Sequence, residues 1–471
     1  MQNAPQRILP LFCGCLLLLG ALVLSCRADS AAAALPHPSV RVKDRYPFAV
    51  GAAVDWSPVD AVLDSALASR VFPGAVAAVV AANGIVYLRA LGNQTYDNVL
   101  PPFAPSGSTG SPPMHPTTKF DLASLTKVLA STTAAMTLYQ RGLLDLDMAV
   151  ADPSLLTDAF AAQGKQTVTV RNLMLHNAGF PPDPSPEYWD VAFGCKQTTQ
   201  PFAAEVFDCR EQIFQSVLNQ TLANPVGQVY VYSDLSMITM KFVIGRIARD
   251  HGLVTEQDLL PACAAAGGDP HATISGRLQC YYEAYVRLHV IDVLRLGDTG
   301  FLPPRADYAR IAPTWNDTWY RHIQLQGVVS DGNSYALGGI AGHAGLFSTA
   351  VDIAVLVHSL LFAEPNNPWI NSTTVALFTK VYNATQSPRA LGWSTNLDLT
   401  CGALSPTTFT HTGYTGTQVC NDPELGFTTI LLTNRCYPND TAESMTQIAA
   451  TRKAYSSAVQ QVWLASRDVE N

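Results

Sequence analysis

Strand-like patterns lie at the two ends of this 471-residue chain, and helical patterns fill the middle. Near the start, apolar runs at 75–80 and 85–90 flank Asn83-Gly84, a combination that is typical of a β-hairpin. Later strand signals stand at Gly392-Trp393, 409–419 and 427–432, with a turn at 422–426. We therefore expect an α/β (α+β) fold, in which an antiparallel sheet built from both chain ends packs beside a helical insertion and a cleft lies between the two.

Helical periodicity and loop composition describe the rest of the chain. Residues 91–116 are rich in Gly, Pro and Ser and predict a loop. Apolar spacing predicts helices at 55–69, 122–144, 235–249, 291–296 and 442–462. No linker or repeat divides the chain, so we expect a single catalytic domain over 55–465. Its sheet part would cover about 55–123 and 340–465, and its helical part about 124–339.

The first 28 residues predict a secretory leader, followed by a linker at 29–54. Arg7 precedes an apolar run at 9–25, the pattern of a cleaved signal peptide, although the run approaches the length of a membrane anchor. Residues 23–26 also resemble a bacterial lipid-attachment site. Glycosylation sequons favour eukaryotic secretion instead, and they stand at Asn93, Asn219, Asn316, Asn371, Asn383 and Asn439. We expect a secreted or secretory-lumen protein; anchoring by the uncleaved leader is the alternative.

Cysteine spacing and net charge limit the cellular compartment and the classes of partner that this chain can have. The close pairs Cys195/Cys209 and Cys263/Cys280 predict two disulfides in an oxidising compartment. The last three cysteines can form one bridge and leave one thiol: Cys401, Cys420 and Cys436. No spacing resembles a zinc site, and we expect no metal or cofactor. The net charge of −8 with scattered Lys and Arg excludes nucleic acid as a partner, and the sequence leaves the oligomeric state open.

The segment 124–127 (Ser-Leu-Thr-Lys) is the first candidate for chemistry. A separation of three residues puts Ser124 and Lys127 on one helix face, within reach of each other. Unpaired amides at a helix start stabilise negative charge, and burial would lower the pKa of Lys127 so that it accepts a proton near neutral pH. The same pattern also fits an N-capping serine and a solvated lysine.

Two further motifs carry polar groups suited to acyl transfer. In 232–234 (Tyr-Ser-Asp), the phenol of Tyr232 can accept or relay a proton. In 411–414 (His-Thr-Gly-Tyr), Gly413 lets a substrate approach the strand edge, and the N–H of Tyr414 can donate to an oxyanion. Taken singly, the first also fits a helix cap beside a core tyrosine, and the second a glycine-bearing strand beside a turn.

Together, 124–127, 232–234 and 411–413 resemble the three signature elements of the β-lactamase and penicillin-binding superfamily. Segments 173–179 and 337–349 are similar to stretches of its class C-like, esterase and D-alanyl-D-alanine carboxypeptidase branch. The resemblance covers about residues 55–465 and implies a β-lactamase/transpeptidase-like fold with the serine between a sheet domain and an all-α domain. It further implies acylation of Ser124, general-base work shared by Lys127 and Tyr232, and an oxyanion hole from the amides of Ser124 and Tyr414.

Two residues depart from the family pattern. Asp234 replaces the usual Asn, and its carboxylate would keep a nearby Lys127 protonated and weaken recognition of a substrate amide. His411 stands where many β-lactamases have Lys, so a positive charge for a substrate carboxylate would depend on pH. Peptidases and esterases of the family also use His at this position, so the change at His411 costs peptidase or esterase chemistry less than β-lactamase chemistry.

The expected function is that of a serine hydrolase acting through an acyl-enzyme on a small-molecule or short-peptide ester or amide. Esterase, D-amino-acid peptidase and β-lactamase-like reactions all fit this constellation. The alternative is a non-catalytic penicillin-binding-fold module with a binding or scaffolding role. We expect His176 and His343 to be structural, because no acid stands at a spacing that predicts a Ser-His-Asp set.

Overall fold

The computed structural model describes residues 54–195, 207–266, 269 and 272–470. The helices are α1 (Ser57–Ala68), α2 (Thr133–Gln140), α3 (Val170–Met174), α4 (Arg210–Asn219), α5 (Asp234–Asp250), α6 (Pro261–Ala265), α7 (Leu278–Val286), α8 (Gly332–Ala336), α9 (Ala350–Leu361), α10 (Ser372–Thr379) and α11 (Ala442–Glu470). The strands are β1 (Gly74–Ala81), β2 (Gly84–Gly92), β3 (Phe120–Asp121), β4 (Gly300–Phe301), β5 (Asn316–Asp317), β6 (Ile323–Gln324), β7 (Leu346–Ser348), β8 (Ser394–Thr395), β9 (Phe409–Thr412), β10 (Gln418–Asp422) and β11 (Phe427–Thr433). The predicted leader at 1–28 lies outside the described residues, as does the linker up to residue 53.

Within the described residues, a six-stranded antiparallel sheet joins the two ends of the chain, in the order β2-β1-β11-β10-β9-β8. The predicted hairpin is present, since β1 pairs with β2 across Asn83-Gly84. The other edge of β1 pairs with β11, with Ala75 opposite Thr433. The sheet is therefore assembled from both chain ends, as the sequence predicts.

Both faces of β1 are covered, which explains its unbroken apolar sequence. Its odd-numbered residues pack with α1 and α11, in a core that includes Leu63 and Tyr455. Its even-numbered residues face the opposite side and pack in a second core that includes Leu125 and Leu356. Because side chains alternate across a strand, this one strand supports both layers.

Several predicted elements need correction. Residues 409–419 are two strands, because Gly413–Thr417 form a tight turn between β9 and β10, closed by a 2.7 Å bond from the amide of Gly413 to the carbonyl of Thr417. The helix predicted at 291–296 is absent. A π-helical turn, Arg287–Ile291, ends there, and Arg295 at φ 55 closes it in the left-handed conformation. Gly392-Trp393 precede β8 rather than forming a strand.

The helix predicted at 122–144 is shorter and irregular. A π-helical turn occupies Lys127–Thr132 and continues into α2, which ends at Gln140, before Gly142 at φ 70. Short strands within the middle of the chain also escaped prediction, among them β3. Two residues are too few to show a strand periodicity.

Three disulfides cross-link the described residues: Cys195–Cys209, Cys263–Cys280 and Cys401–Cys420. The first two were predicted as pairs, and the third leaves Cys436 as the free thiol, which is buried. Disulfides are typical of proteins that fold in an oxidising compartment. Among the described helices, none is long and apolar enough to cross a membrane.

Candidate active site

Ser124 lies directly after a tightly fixed bend. The carboxylate of Asp121, at the end of β3, accepts hydrogen bonds from the amides of Ala123, at 2.9 Å, and Ser330, at 2.7 Å. Ala123 adopts φ 46, a left-handed conformation that is uncommon for alanine. This bend reverses the chain between β3 and the following helical turn, and it leaves the side chain of Ser124 partly exposed.

Lys127 connects the first two sequence motifs. Its ammonium is fully buried and lies 2.8 Å from the Oγ of Ser124, 3.1 Å from the carbonyl oxygen of His343 and 2.7 Å from the carboxylate of Asp234. Burial opposes the charge, but the attraction of Asp234 and Tyr232 outweighs it and raises the pKa of Lys127 above its usual value. The expectation that burial lowers the pKa of Lys127 is therefore wrong, because the carboxylate of Asp234 lies within contact distance of the ammonium. Lys127 is a charged ammonium at neutral pH.

The segment 176–182 holds the second motif in place. The amide of Ser233 donates to Nδ1 of His176 at 3.1 Å, and the Ser233 hydroxyl donates to the carbonyl of Pro181 at 2.6 Å. The amide of Asp234, at the start of α5, donates to the carbonyl of Pro182 at 2.8 Å. These bonds place the ring of Tyr232 with its centroid 4.9 Å from the Nζ of Lys127.

The third motif packs against the chain just before Ser124. Side chains of the turn at 413–417 donate to the carbonyls of Asp121, at 2.7 Å, and Leu122, at 3.1 Å. Arg452 of α11 donates to the carbonyls of Gly413 and Thr417, at 2.6 and 2.8 Å. In the described part of the chain, the amides of Ser124 and Tyr414 donate to no protein acceptor.

Gly413→Ala tests this packing. A Cβ at position 413 would lie 2.3 Å from the carbonyl oxygen of Leu122 and 2.1 Å from the Oγ1 of Thr417. The turn must then move away from Ser124, and we expect a loss of about 1–3 kcal/mol in unfolding free energy. The amide of Tyr414 is the expected second oxyanion donor, and displacing it should also lower kcat about 100-fold. Chemical denaturation and steady-state kinetics measure both.

Gly300→Ala is the matched control, because a Cβ there would meet nothing within 4 Å. It should leave both quantities nearly unchanged. Wild-type activity in Gly413→Ala would contradict a role for this turn.

His411 lies beside Tyr232 but does not supply a pH-dependent charge. Its ring centroid is 5.9 Å from that of Tyr232, and its Nδ1 lies 2.8 Å from the carbonyl of Thr412. Burial, together with the charges of Arg389 and Lys127, holds the pKa of His411 well below its usual value. The imidazole is therefore neutral, and the expectation of a charge that varies with pH around neutrality is wrong.

Asp331, which pairs with His343, stands in none of the sequence motifs and was not predicted. The Nε2 of His343 lies 3.0 Å from the Asp331 carboxylate. Burial opposes ionisation of Asp331, but His343 and the amide of Ser334 overcome it and lower its pKa to about 2. His343 contacts Lys127 through its backbone carbonyl, and its imidazole pairs with Asp331. The two residues therefore lie beside Lys127 but do not form a Ser-His-Asp set with Ser124.

Asp234, Asp331 and His343 also bring potential metal-ligand atoms within 4.8 Å of one another, a grouping that the sequence did not predict. The ammonium of Lys127 already pairs with this group at 2.7 Å, and a metal ion there would compete with it.

Asp234→Asn should show how far the carboxylate supports the buried charge. Removing one partner of a buried ion pair typically costs about 3 kcal/mol. Without Asp234, the pKa of Lys127 in the folded variant should fall below its pKa in the unfolded chain. At pH values between these two pKa values the unfolded state binds more protons than the folded state, so the free energy of unfolding rises with pH in this range. The deficit against the wild type should therefore shrink as pH increases. Urea denaturation at several pH values measures it.

Asp147→Asn is the matched control, because Asp147 pairs with Arg171 at the surface with a side chain that is 71% exposed. An exposed pair contributes little, so this variant should lose less than about 1 kcal/mol. Equal losses in the two variants would contradict the special role of Asp234.

Comparison with known proteins identifies the family. The family profile described as Beta-lactamase matches residues 59–452. A protein of Escherichia coli (strain K12), provisionally named a D-alanyl-D-alanine carboxypeptidase, is 28% identical over 392 residues, which cover 77% of this chain and 79% of that protein.

Among solved structures, EstCE1, a hydrolase with promiscuous acyltransferase activity, aligns with a TM-score of 0.58 at 19% identity and covers 84% of this chain and 98% of its own. A class C β-lactamase from Rhodobacter sphaeroides aligns with a TM-score of 0.54 at 16% identity, covering 84% and 98%. Both share the predicted fold. The chain therefore belongs to the Beta-lactamase family, as a serine hydrolase of that superfamily.

Proposed function

We propose that this protein is a secreted serine hydrolase that forms an acyl-enzyme at Ser124 on an ester or amide substrate. The observation that carries the proposal is the position of Lys127, whose ammonium lies 2.8 Å from the Oγ of Ser124 and 2.7 Å from Asp234. A buried ammonium in contact with a serine hydroxyl stabilises negative charge on that oxygen as the proton leaves.

Tyr232 is the general base in this proposal. Lys127 already carries its proton, so it cannot take a second one from Ser124. Tyr232, as the phenolate, accepts the Ser124 proton while Oγ bonds to the substrate carbonyl carbon. The resulting phenol then returns the proton to the departing alcohol or amine as the carbonyl re-forms. Water hydrolyses the acyl-enzyme by the same steps, with the water proton passing to Tyr232.

The oxyanion forms between the amides of Ser124 and Tyr414. In the described residues, neither amide has a protein acceptor, so both remain available to a substrate oxygen. Two preformed N–H donors that point at the developing oxyanion usually make a large contribution to the rate of acyl transfer.

The polar groups favour simple esters over β-lactams. The carboxylate of Asp234 pairs with Lys127 and offers only acceptor oxygens, so it cannot donate to a substrate amide carbonyl. The neutral imidazole of His411 attracts a β-lactam carboxylate less than a lysine would.

Secretion rests on two features. Three disulfides connect the described residues, and the sequon residues Asn93, Asn219, Asn316, Asn383 and Asn439 are exposed. Secretion in culture with a glycosidase-sensitive mass would support the proposal, and retention in the cytosol without glycans would contradict it.

Intact-mass measurement tests the chemistry. The mature protein is incubated separately with a p-nitrophenyl ester and a fluorescent penicillin, and the adduct mass and released nitrophenol are followed. We expect turnover of the ester and slower or no acylation by penicillin. An absence of adduct and turnover with both reagents would favour the alternative, a non-catalytic binding module.

A further inference from the structure

A phenolate at Tyr232 needs positive charge near it, and Lys127 shares its charge between Tyr232 and Asp234. Its ammonium lies 4.9 Å from the Tyr232 ring centroid, but the carboxylate of Asp234 lies 2.7 Å from the same ammonium. The carboxylate therefore offsets part of the attraction between the ammonium and the phenol. A second cation would favour the phenolate form that must be present before Tyr232 can accept the Ser124 proton.

The two imidazoles beside Tyr232 do not provide it. His176 and His411 have ring centroids 4.9 and 5.9 Å from that of Tyr232. Burial, with the charges of Arg389 and Lys127, holds the pKa of both histidines well below the usual value. Both rings are therefore neutral around neutral pH.

Arg389 is the remaining charged group at Tyr232 among the described residues. Its guanidinium carbon lies 5.0 Å from the centroid of the Tyr232 ring and 5.6 Å from that of Tyr230. Its Nε donates to the hydroxyl of Tyr230 at 2.9 Å, which fixes the guanidinium without neutralising it. Its Nη1 is buried without a protein acceptor, and no described carboxylate pairs with it.

We propose that Arg389 is a positioning residue for catalysis, which stabilises the phenolate of Tyr232 together with the Lys127–Asp234 pair. The inference rests on the proposed function, because it concerns the base of that reaction. The sequence did not single out Arg389, which lies 22 residues before His411 and outside the three motifs. A cation held over an aromatic ring favours negative charge on that ring, and guanidinium keeps its charge at any working pH.

The test is the pH dependence of acyl-enzyme formation with a p-nitrophenyl ester. In Arg389→Gln, the acid limb of the pH–rate profile should move to higher pH by about one unit. At pH values on the acid side of the limb, acylation should therefore be about tenfold slower than in wild type. Above the limb, the variant and wild type should converge. Arg389→Lys keeps the charge and should keep the acid limb close to its wild-type position.

Arg171→Gln is the matched control, because Arg171 lies 5.2 Å from the ring centroid of Tyr382, away from the three motifs. Its acid limb should not move. If Arg389→Gln does not fold, Tyr230→Phe releases the guanidinium anchor and should shift the limb in the same direction by a smaller amount. Circular dichroism verifies the folding of each variant.

A loss of rate that is equal at every pH would assign Arg389 a purely structural role, and an unchanged profile would remove it from the reaction; either result overturns the inference. The proposed function fails separately, if wild type forms no acyl-enzyme or if Ser124→Ala still does. Acylation that depends on Ser124, with an unmoved acid limb in Arg389→Gln, would therefore reject this inference alone.

Discussion

Ser124→Ala is expected to lower acyl-enzyme formation by about 10³-fold or more, to the level of the reagent's own hydrolysis. Removing the nucleophile eliminates the covalent route, and the oxyanion donors that remain give only a small residual acceleration. The adduct peak in intact-mass spectra and the burst of nitrophenol should both disappear. The fold should persist, because the substitution removes one hydroxyl that contacts the Nζ of Lys127 at 2.8 Å.

Ser131→Ala is the matched control on the same helical segment. The Ser131 hydroxyl is buried and bonds to Tyr282 and to the carbonyl of Gly342, both at 2.7 Å. This variant should lose about 1 kcal/mol of stability and keep its acylation. Persistent labelling of Ser124→Ala would mean that another residue reacts, and the assignment of the nucleophile would have to be abandoned.

Tyr232→Phe should reduce acylation by about 10²–10⁴-fold, the usual contribution of a general base. The ring that packs 4.9 Å from His176 is retained, so the loss reports on the hydroxyl. Single-turnover acylation with the p-nitrophenyl ester, measured across pH, isolates the step. The expectation depends on the charged state of Lys127, which leaves Tyr232 to receive the proton.

Tyr335→Phe is its control, since the Tyr335 hydroxyl is buried and has no hydrogen-bond partner among the described residues. It should react within about twofold of wild type, because no bond is lost. If Tyr232→Phe retained most of the activity while Lys127→Met abolished it, the lysine would be the base and Tyr232 a packing residue.

The fold was predictable where a pattern is local and repeated. The Asn83-Gly84 hairpin, α1, α5 and α11 each span enough residues to show their period, and the close cysteine pairs matched their disulfides. The turn at 413–417 was not, because the polar threonines on both sides continue the apparent strand, and the break is visible only in the bond between Gly413 and Thr417.

The site divides in the same way. Ser124, Lys127, Tyr232 and Asp234 were identified because they stand in short motifs, and the structure brings them together. Arg389 and Asp331 are single residues that reach the site through packing of distant segments, so spacing could not reveal them. The protonation state of Lys127 depends on the 2.7 Å distance between its Nζ and the carboxylate of Asp234. The sequence shows that both residues are present, but it does not give the distance between them.

The pairing of Ala75 with Thr433 has a consequence for how the protein is made. Strand β1 emerges early during synthesis, but its partner β11 emerges close to the end, so the sheet cannot close on a growing chain. Contacts of such long sequence separation form slowly and expose apolar strands to misassembly in the meantime. The disulfides Cys195–Cys209 and Cys263–Cys280 lie outside the sheet and span only 14 and 17 residues, so they can form before the sheet closes. Truncation before β11 should therefore yield an oxidised but inactive chain that depends on chaperones.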